Sequence, residues 1–240
     1  MRQAREDARE EALRTAGRAV YSPLFLVVAG VFIACLIAAN IISVKLIALG
    51  DWYVPSGVIV FPLSYIVGDV MTEVYGYRSA RRVIWLGFLA NLIVVIAIWV
   101  AGVWPAAPFW QDQAAWNIIL GFTPRLLFAS FVAYLVGEFA NSMVLARMKV
   151  ATEGRWLWTR TIGSTIVGEG LDSLVFITTA FAGTPGFNLA NAIVTQWLVK
   201  VGYEVIATPL TYLVVTYLKR VEGMDVYDRD TNFNPLVVTE

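Results

Sequence analysis

The chain has 240 residues, of which 58% are hydrophobic and only 15% charged, and its 18 basic and 18 acidic side chains cancel. An ordinary soluble domain is about 45–50% apolar, so the surplus here has to face lipid, and a neutral chain offers nucleic acid no basic footprint. Histidine is absent and Cys35 is the only cysteine, which excludes His/Cys zinc sites, Ser-His-Asp and Cys-His catalysis and a disulfide framework; no metal and no cofactor are expected.

Residues 1–22 form a charged cytoplasmic arm carrying Arg2, Arg5, Glu6, Arg9, Glu10, Arg14 and Arg18, and the apolar run behind it is too long for a signal peptide. Six stretches follow that are long and apolar enough to cross a bilayer as helices: 23–47, 57–76, 83–103, 122–147, 161–182 and 189–218. The fold class is therefore an all-α integral membrane protein, with a six-helix transmembrane domain over 23–218 and a cytoplasmic tail over 219–240. Pro23 and Pro124 stand at helix starts, where the missing N–H is harmless. Pro62 and Pro209 fall inside spans and predict kinks. The stretch 105–120, with Pro105, Pro108, Asp112 and Gln113, reads as an outer loop or an interfacial half-helix.

Lysine and arginine set the orientation. They occupy the arm, the loop after the second span (Arg78, Arg81, Arg82), the loop after the fourth (Arg147, Lys149, Arg155, Arg160) and the tail (Lys219, Arg220, Arg229), while connections 48–56, 104–121 and 183–188 have none. Six spans with both termini in the cytoplasm account for all of these. Trp52, Tyr53, Trp99, Trp104, Trp110 and Trp116 gather at the outer surface this implies, and Trp85, Trp156 and Trp158 at the inner one, as interfacial belts do.

Ionisable groups at membrane depth are costly and mark function. Tyr65, Asp69 and Glu73 recur every four residues on the second span; Tyr134, Glu138 and Asn141 share a face of the fourth. Thr165, Glu169, Asp172, Phe176 and Thr179 line the fifth, and Gln196, Lys200, Glu204 and Thr208 repeat along the sixth. Four polar stripes avoid lipid only by converging. The candidate guest-binding set is Asn40 on the first span with Tyr65, Asp69, Glu73, Glu138, Asn141, Glu169, Asp172, Phe176, Gln196, Lys200 and Glu204.

Blander roles compete. Asp69 and Glu73 could pair with the Arg78–Arg82 loop, Lys200 and Glu204 could neutralise each other at i,i+4, and Glu169 could bond a neighbouring helix; Asp172 and Glu138 are hardest to dismiss. Six acids around one central base, Lys200, leave carboxyls that are protonated or that await a cationic or donor-rich ligand. Proton coupling and a basic substrate both follow as hypotheses. Gly30, Ala34 and Ala38 make a small-residue ridge suited to a second subunit or to packing within the chain, and the third span, with Asn91 as its one strongly polar side chain, is scaffold. The sequence holds no G-x-x-x-x-G-K-[ST], so this chain hydrolyses no ATP. A membrane-embedded enzyme with paired acids such as Glu169 and Asp172 is a further alternative, against which stand the absence of histidine and of a nucleophile–base constellation.

The segments Val67-Gly-Asp-Val-Met-Thr-Glu-Val-Tyr-Gly-Tyr77, Gly137-Glu-Phe-Ala-Asn-Ser142, Trp158-Thr-Arg-Thr-Ile-Gly-Ser-Thr165, Asp172-Ser-Leu-Val-Phe176, Lys200 with Glu204 and Pro209, and Asn232-Phe-Asn-Pro235 resemble the bacterial queuosine precursor transporters (the YhhQ group). The resemblance runs over roughly residues 23–238 and leaves out the arm. It implies import of 7-cyano-7-deazaguanine or its aminomethyl relative through the inner membrane for tRNA modification. It further implies a fold like the six-helix substrate-binding subunits of energy-coupling-factor vitamin transporters. The partners expected are this small deazaguanine, the lipid bilayer and a second copy in a homodimer, with an ATPase module as the alternative.

Overall fold

The structure, a computed structural model, describes residues 22–49, 52–121, 124–183, 185 and 188–237. The arginines of the arm lie outside the described residues, as do the side chains of Trp52, Tyr53 and Pro124. The elements in order are α1 (Pro23–Ile42), strands β1 (Leu46–Leu49) and β2 (Trp52–Pro55), a 3₁₀ turn (Ser56–Ile59), α2 (Phe61–Val103), α3 (Gln113–Leu120), α4 (Pro124–Ala151), α5 (Leu157–Phe181) and α6 (Leu189–Glu222). This is a multi-pass all-α membrane protein carrying one small β-hairpin. Among the described residues four stretches are long and apolar enough to cross a bilayer: Pro23–Ile42, Phe61–Val103, the run that ends at Ala151, and Leu189–Glu222. Their outer faces present Leu26, Ile93, Val100, Ile206 and Leu213, as lipid contact requires.

The first predicted span stops early. Ser43 closes α1 by donating its hydroxyl to Ala39 O at 2.6 Å, and Leu46–Leu49 pairs antiparallel with Trp52–Pro55. A short apolar run such as Leu46–Leu49 has no periodicity that separates helix from strand. Gly57 seals the junction, because a Cβ there would lie inside the Ser43 hydroxyl and 2.8 Å from Ala39 O.

The second and third predicted spans are one element, α2, interrupted at a single residue. Gly76 has φ 82° and ψ 166°, a conformation only glycine takes without strain. A Cβ on Gly68 or on Gly87 would meet the same Phe32 ring, at 3.4 and 3.2 Å, although a straight helix would part the two by about 28 Å. The chain therefore folds back at Gly76 into two antiparallel arms, and the Arg78–Arg82 stretch expected as a loop is helix. Pro62 falls in the first turn of α2, so the kink expected there is absent; Pro209 does lie inside α6. The stretch 105–120 ends in α3, a half-helix with no buried side chain.

Residues 223–237, within the stretch expected as the tail, form a strap docked over the Gly76 turn. Gly223, at φ 63°, ends α6. Tyr77 N donates to Asp228 Oδ2 at 3.0 Å, Arg81 Nη1 donates to the carbonyls of Asn232 and Asn234 at 2.8 and 2.9 Å, and Trp85 Nε1 to that of Pro235 at 2.8 Å. Tyr77 and Phe233 stack with centroids 5.0 Å apart. Together these contacts bury Arg81 completely.

The closest helix pair is α4 against α5. A Cβ on Gly137 would sit 3.1 Å from Gly168 O, and one on Gly168 would sit 2.9 Å from Gly137 O. Two glycines thus let the backbones touch, which sets Glu138 and Asn141 of α4 beside Glu169 and Asp172 of α5.

Candidate functional site

The polar stripes converge, and they separate into two layers of opposite character. The lower layer lies next to the Gly76 turn and the strap. Glu73, fully buried on α2, receives Arg160 Nε and Nη2 at 2.7 and 2.8 Å and Lys219 Nζ at 2.5 Å, with Lys149 Nζ 3.6 Å away. Lys149 also donates to the Glu73 carbonyl at 2.5 Å, to Asp225 at 2.5 Å and to Val226 O at 2.7 Å. One carboxylate thus clamps α4, α5, α6 and the strap. Partial burial raises the Asp225 carboxyl, but hydrogen bonds from Lys149 and Lys219 outweigh it and hold the group below its ordinary value. Glu73 has its arginine partner, taken from α5 and not from the Arg78–Arg82 stretch.

The upper layer holds Asp69 on α2, Glu138 on α4, Glu169 and Asp172 on α5, and Lys200 and Glu204 on α6, all nine-tenths or more buried. Lys200 Nζ lies 2.6 Å from Glu169 and 2.5 Å from Asp172 and 4.6 Å above the Phe61 ring. Its ion partners come from α5, not from Glu204 along its own helix. Asp69 accepts from Asn141 Nδ2 at 2.6 Å. Beyond those contacts both Glu138 oxygens, Asp69 Oδ2, Asn141 Oδ1, Glu204 Oε1 and the hydroxyls of Tyr65, Thr165 and Ser173 are buried without a hydrogen-bond partner among the described residues. Groups of this kind are rare in folded proteins and each needs an explanation.

Of the other candidates, Tyr65 stands in the layer, with its ring centroid 6.0 Å from Lys200 Nζ. Phe176 lies further along α5, its ring against Phe181, and Gln196 one turn before Lys200 is half-buried. Asn40 does not join them: it donates to Asn91 Oδ1 at 2.7 Å, tying α1 to the returning arm of α2. The chain pattern missed Ser173, which is fully buried beside Asp172, because serine carries no charge to flag it. It also missed Lys149, Arg160 and Lys219 as Glu73 partners, since near a predicted interface they read as positive-inside residues.

The model of the family described as "Putative vitamin uptake transporter" matches residues 55–214. The chain belongs to this family. Every candidate residue except Asn40 falls inside the matched stretch. The chain also has relatives among bacterial proteins. One is the "Probable queuosine precursor transporter" of Bacillus subtilis, 28% identical over 73% of this chain and 78% of that protein. Another is the "Queuosine precursor transporter" of Escherichia coli, 26% identical over 65% of this chain and 68% of that one. The "Probable queuosine precursor transporter" of Haemophilus influenzae is 28% identical over 58% of this chain and 59% of its own length. No solved structure matches the chain significantly.

Proposed function

We propose that the protein imports 7-deazaguanine precursors of queuosine, 7-cyano-7-deazaguanine and its aminomethyl relative, across the bacterial inner membrane. In this reading six spans cross the bilayer, the two arms of α2 counting separately, with both termini in the cytoplasm. One observation carries it: the upper layer is a buried set of acceptors from four helices with too few donors among them. A guanine-like base presents adjacent N1–H and N2–H₂ groups, which one carboxylate accepts in bidentate fashion. Glu138, with both oxygens free, takes that edge. Asp172 is the second carboxylate, facing an aminomethyl cation; Lys200 or Gln196 donates to the six-position oxygen, and Tyr65 or Phe176 stacks on the flat ring. The names of the curated relatives point to the same substrate class.

The test is rescue. Cells unable to make the precursor, given this chain and nanomolar 7-cyano-7-deazaguanine, should regain queuosine in tRNA; failure at supplies where a working importer restores it overturns the proposal. A second reading, a substrate-binding subunit that borrows an ATPase module, draws on α1. Gly30 and Ala34 are exposed, and a Cβ on Gly30 would meet nothing within 4 Å, so the ridge is open to another chain. Co-purification of ATPase subunits separates that reading from a stand-alone homodimer.

A further inference from the structure

We infer that Glu138 exchanges a proton for the guest: its carboxyl is neutral in the guest-free protein and ionises as the base edge arrives, so each binding event expels a proton. This rests on the function proposed above and adds to it a second ligand at the same atoms.

The groups facing Glu138 are Tyr65 and Asp69 from α2, Tyr134 on its own helix, Glu169 and Asp172 from α5, and Lys200 from α6. Tyr134 donates to Ile84 O at 2.9 Å, and Lys200 is held by Glu169 and Asp172. No donor among the described residues reaches either Glu138 oxygen, and the residue is fully buried. An ionised carboxylate with no hydrogen bond in a medium this dry carries a penalty that proteins avoid by neutralising the group. Local charge points the same way: five acids share one ammonium in this layer, and Lys200 already has two of them.

The guest reverses the balance. Its N1–H and N2–H₂ supply two donors aimed at one carboxylate, and charge-assisted hydrogen bonds of this kind are roughly twice as strong as neutral ones. The protonated acid turns its own O–H toward one of the guest's donors, so it cannot accept the bidentate pair. The step balances as written: the Glu138 O–H bond breaks, its electron pair stays on the carboxylate and receives the two N–H groups, and the proton leaves to solvent.

The experiment titrates detergent-purified protein with 7-cyano-7-deazaguanine, a neutral probe, so that any proton released comes from the protein. Calorimetry in two buffers of different ionisation heat should give about one proton released per guest near neutral pH, with affinity rising by up to about tenfold per pH unit, as one-proton linkage requires. Infrared difference spectra of the same mixture should show loss of a protonated-carboxyl C=O band. In Glu138→Gln that band change should vanish, and any binding that remains should be independent of pH. Binding with no proton released, no band change and a pH-independent affinity overturns the exchange while leaving the import function intact. Absence of binding by both deazaguanines overturns the function itself, and the exchange with it. Because the infrared measurement needs only wild-type protein, a misfolded variant does not blunt the test.

Discussion

Glu73 and Glu138 are the same residue type, both fully buried and both drawn from polar stripes at helical spacing, yet their surroundings are opposite. Glu73 has Arg160, Lys149 and Lys219 around it; among the described residues Glu138 has no hydrogen-bond partner on either oxygen. A carboxylate saturated by cations from three helices is a structural clamp. One surrounded by acceptors is unfinished until a donor arrives. The comparison sorts buried charge in this protein into groups that hold the fold and groups that await a ligand, and it predicts that isosteric substitutions will fail in different ways.

The largest stability loss belongs to Glu73→Gln. Removing one member of a buried ion network leaves its partners charged and uncompensated, which costs about 3–5 kcal/mol. Chemical unfolding in detergent should show that loss, and an unchanged unfolding curve would place the clamp elsewhere. Next comes Gly76→Ala. A side chain at φ 82° is strained, and its Cβ would stand 2.7 Å from Val226 Cγ1, so about 1–3 kcal/mol should be lost and the strap loosened, read as faster limited proteolysis after Glu222.

Asp225→Asn is milder, because the side chain is 42% exposed and pairs of that kind contribute about 1 kcal/mol or less. The pH dependence has a definite sign. The folded-state value of Asp225 lies below its unfolded value, so its stabilisation is present above the unfolded value and disappears as pH falls through the folded one. Acidification should therefore speed cleavage of the strap, and Asp225→Asn should remove that acid sensitivity.

Much of this was legible in the chain. Polar stripes at helical spacing located the converging helices, because lipid forbids unpaired charge and the pattern has one escape. Gly76 was not readable as a reversal: apolar runs on both sides look like two spans with a loop, and only the positive φ shows that one residue makes the turn. The strap was hidden because Tyr77, Arg81 and Trp85 bind its backbone carbonyls, which carry no side-chain signature. The division between clamp and ligand layer was equally out of reach, since Arg160 meets Glu73 from another helix across 87 positions of sequence.

Glu138→Gln tests the comparison at its other end. The amide is close in size to the carboxyl, and no hydrogen bond is removed from the oxygens it replaces. Its effect on unfolding should thus fall within about 0.5 kcal/mol, the range of substitutions that break nothing, although the residue is fully buried. Uptake should nonetheless collapse, because the amide offers one acceptor and turns an N–H₂ toward the donors of the guest. Stability and transport therefore move apart here, whereas in Glu73→Gln they fall together. If Glu138→Gln unfolded as readily as Glu73→Gln, the upper layer would be another clamp, and the acceptor surplus would lose its meaning as a binding chamber.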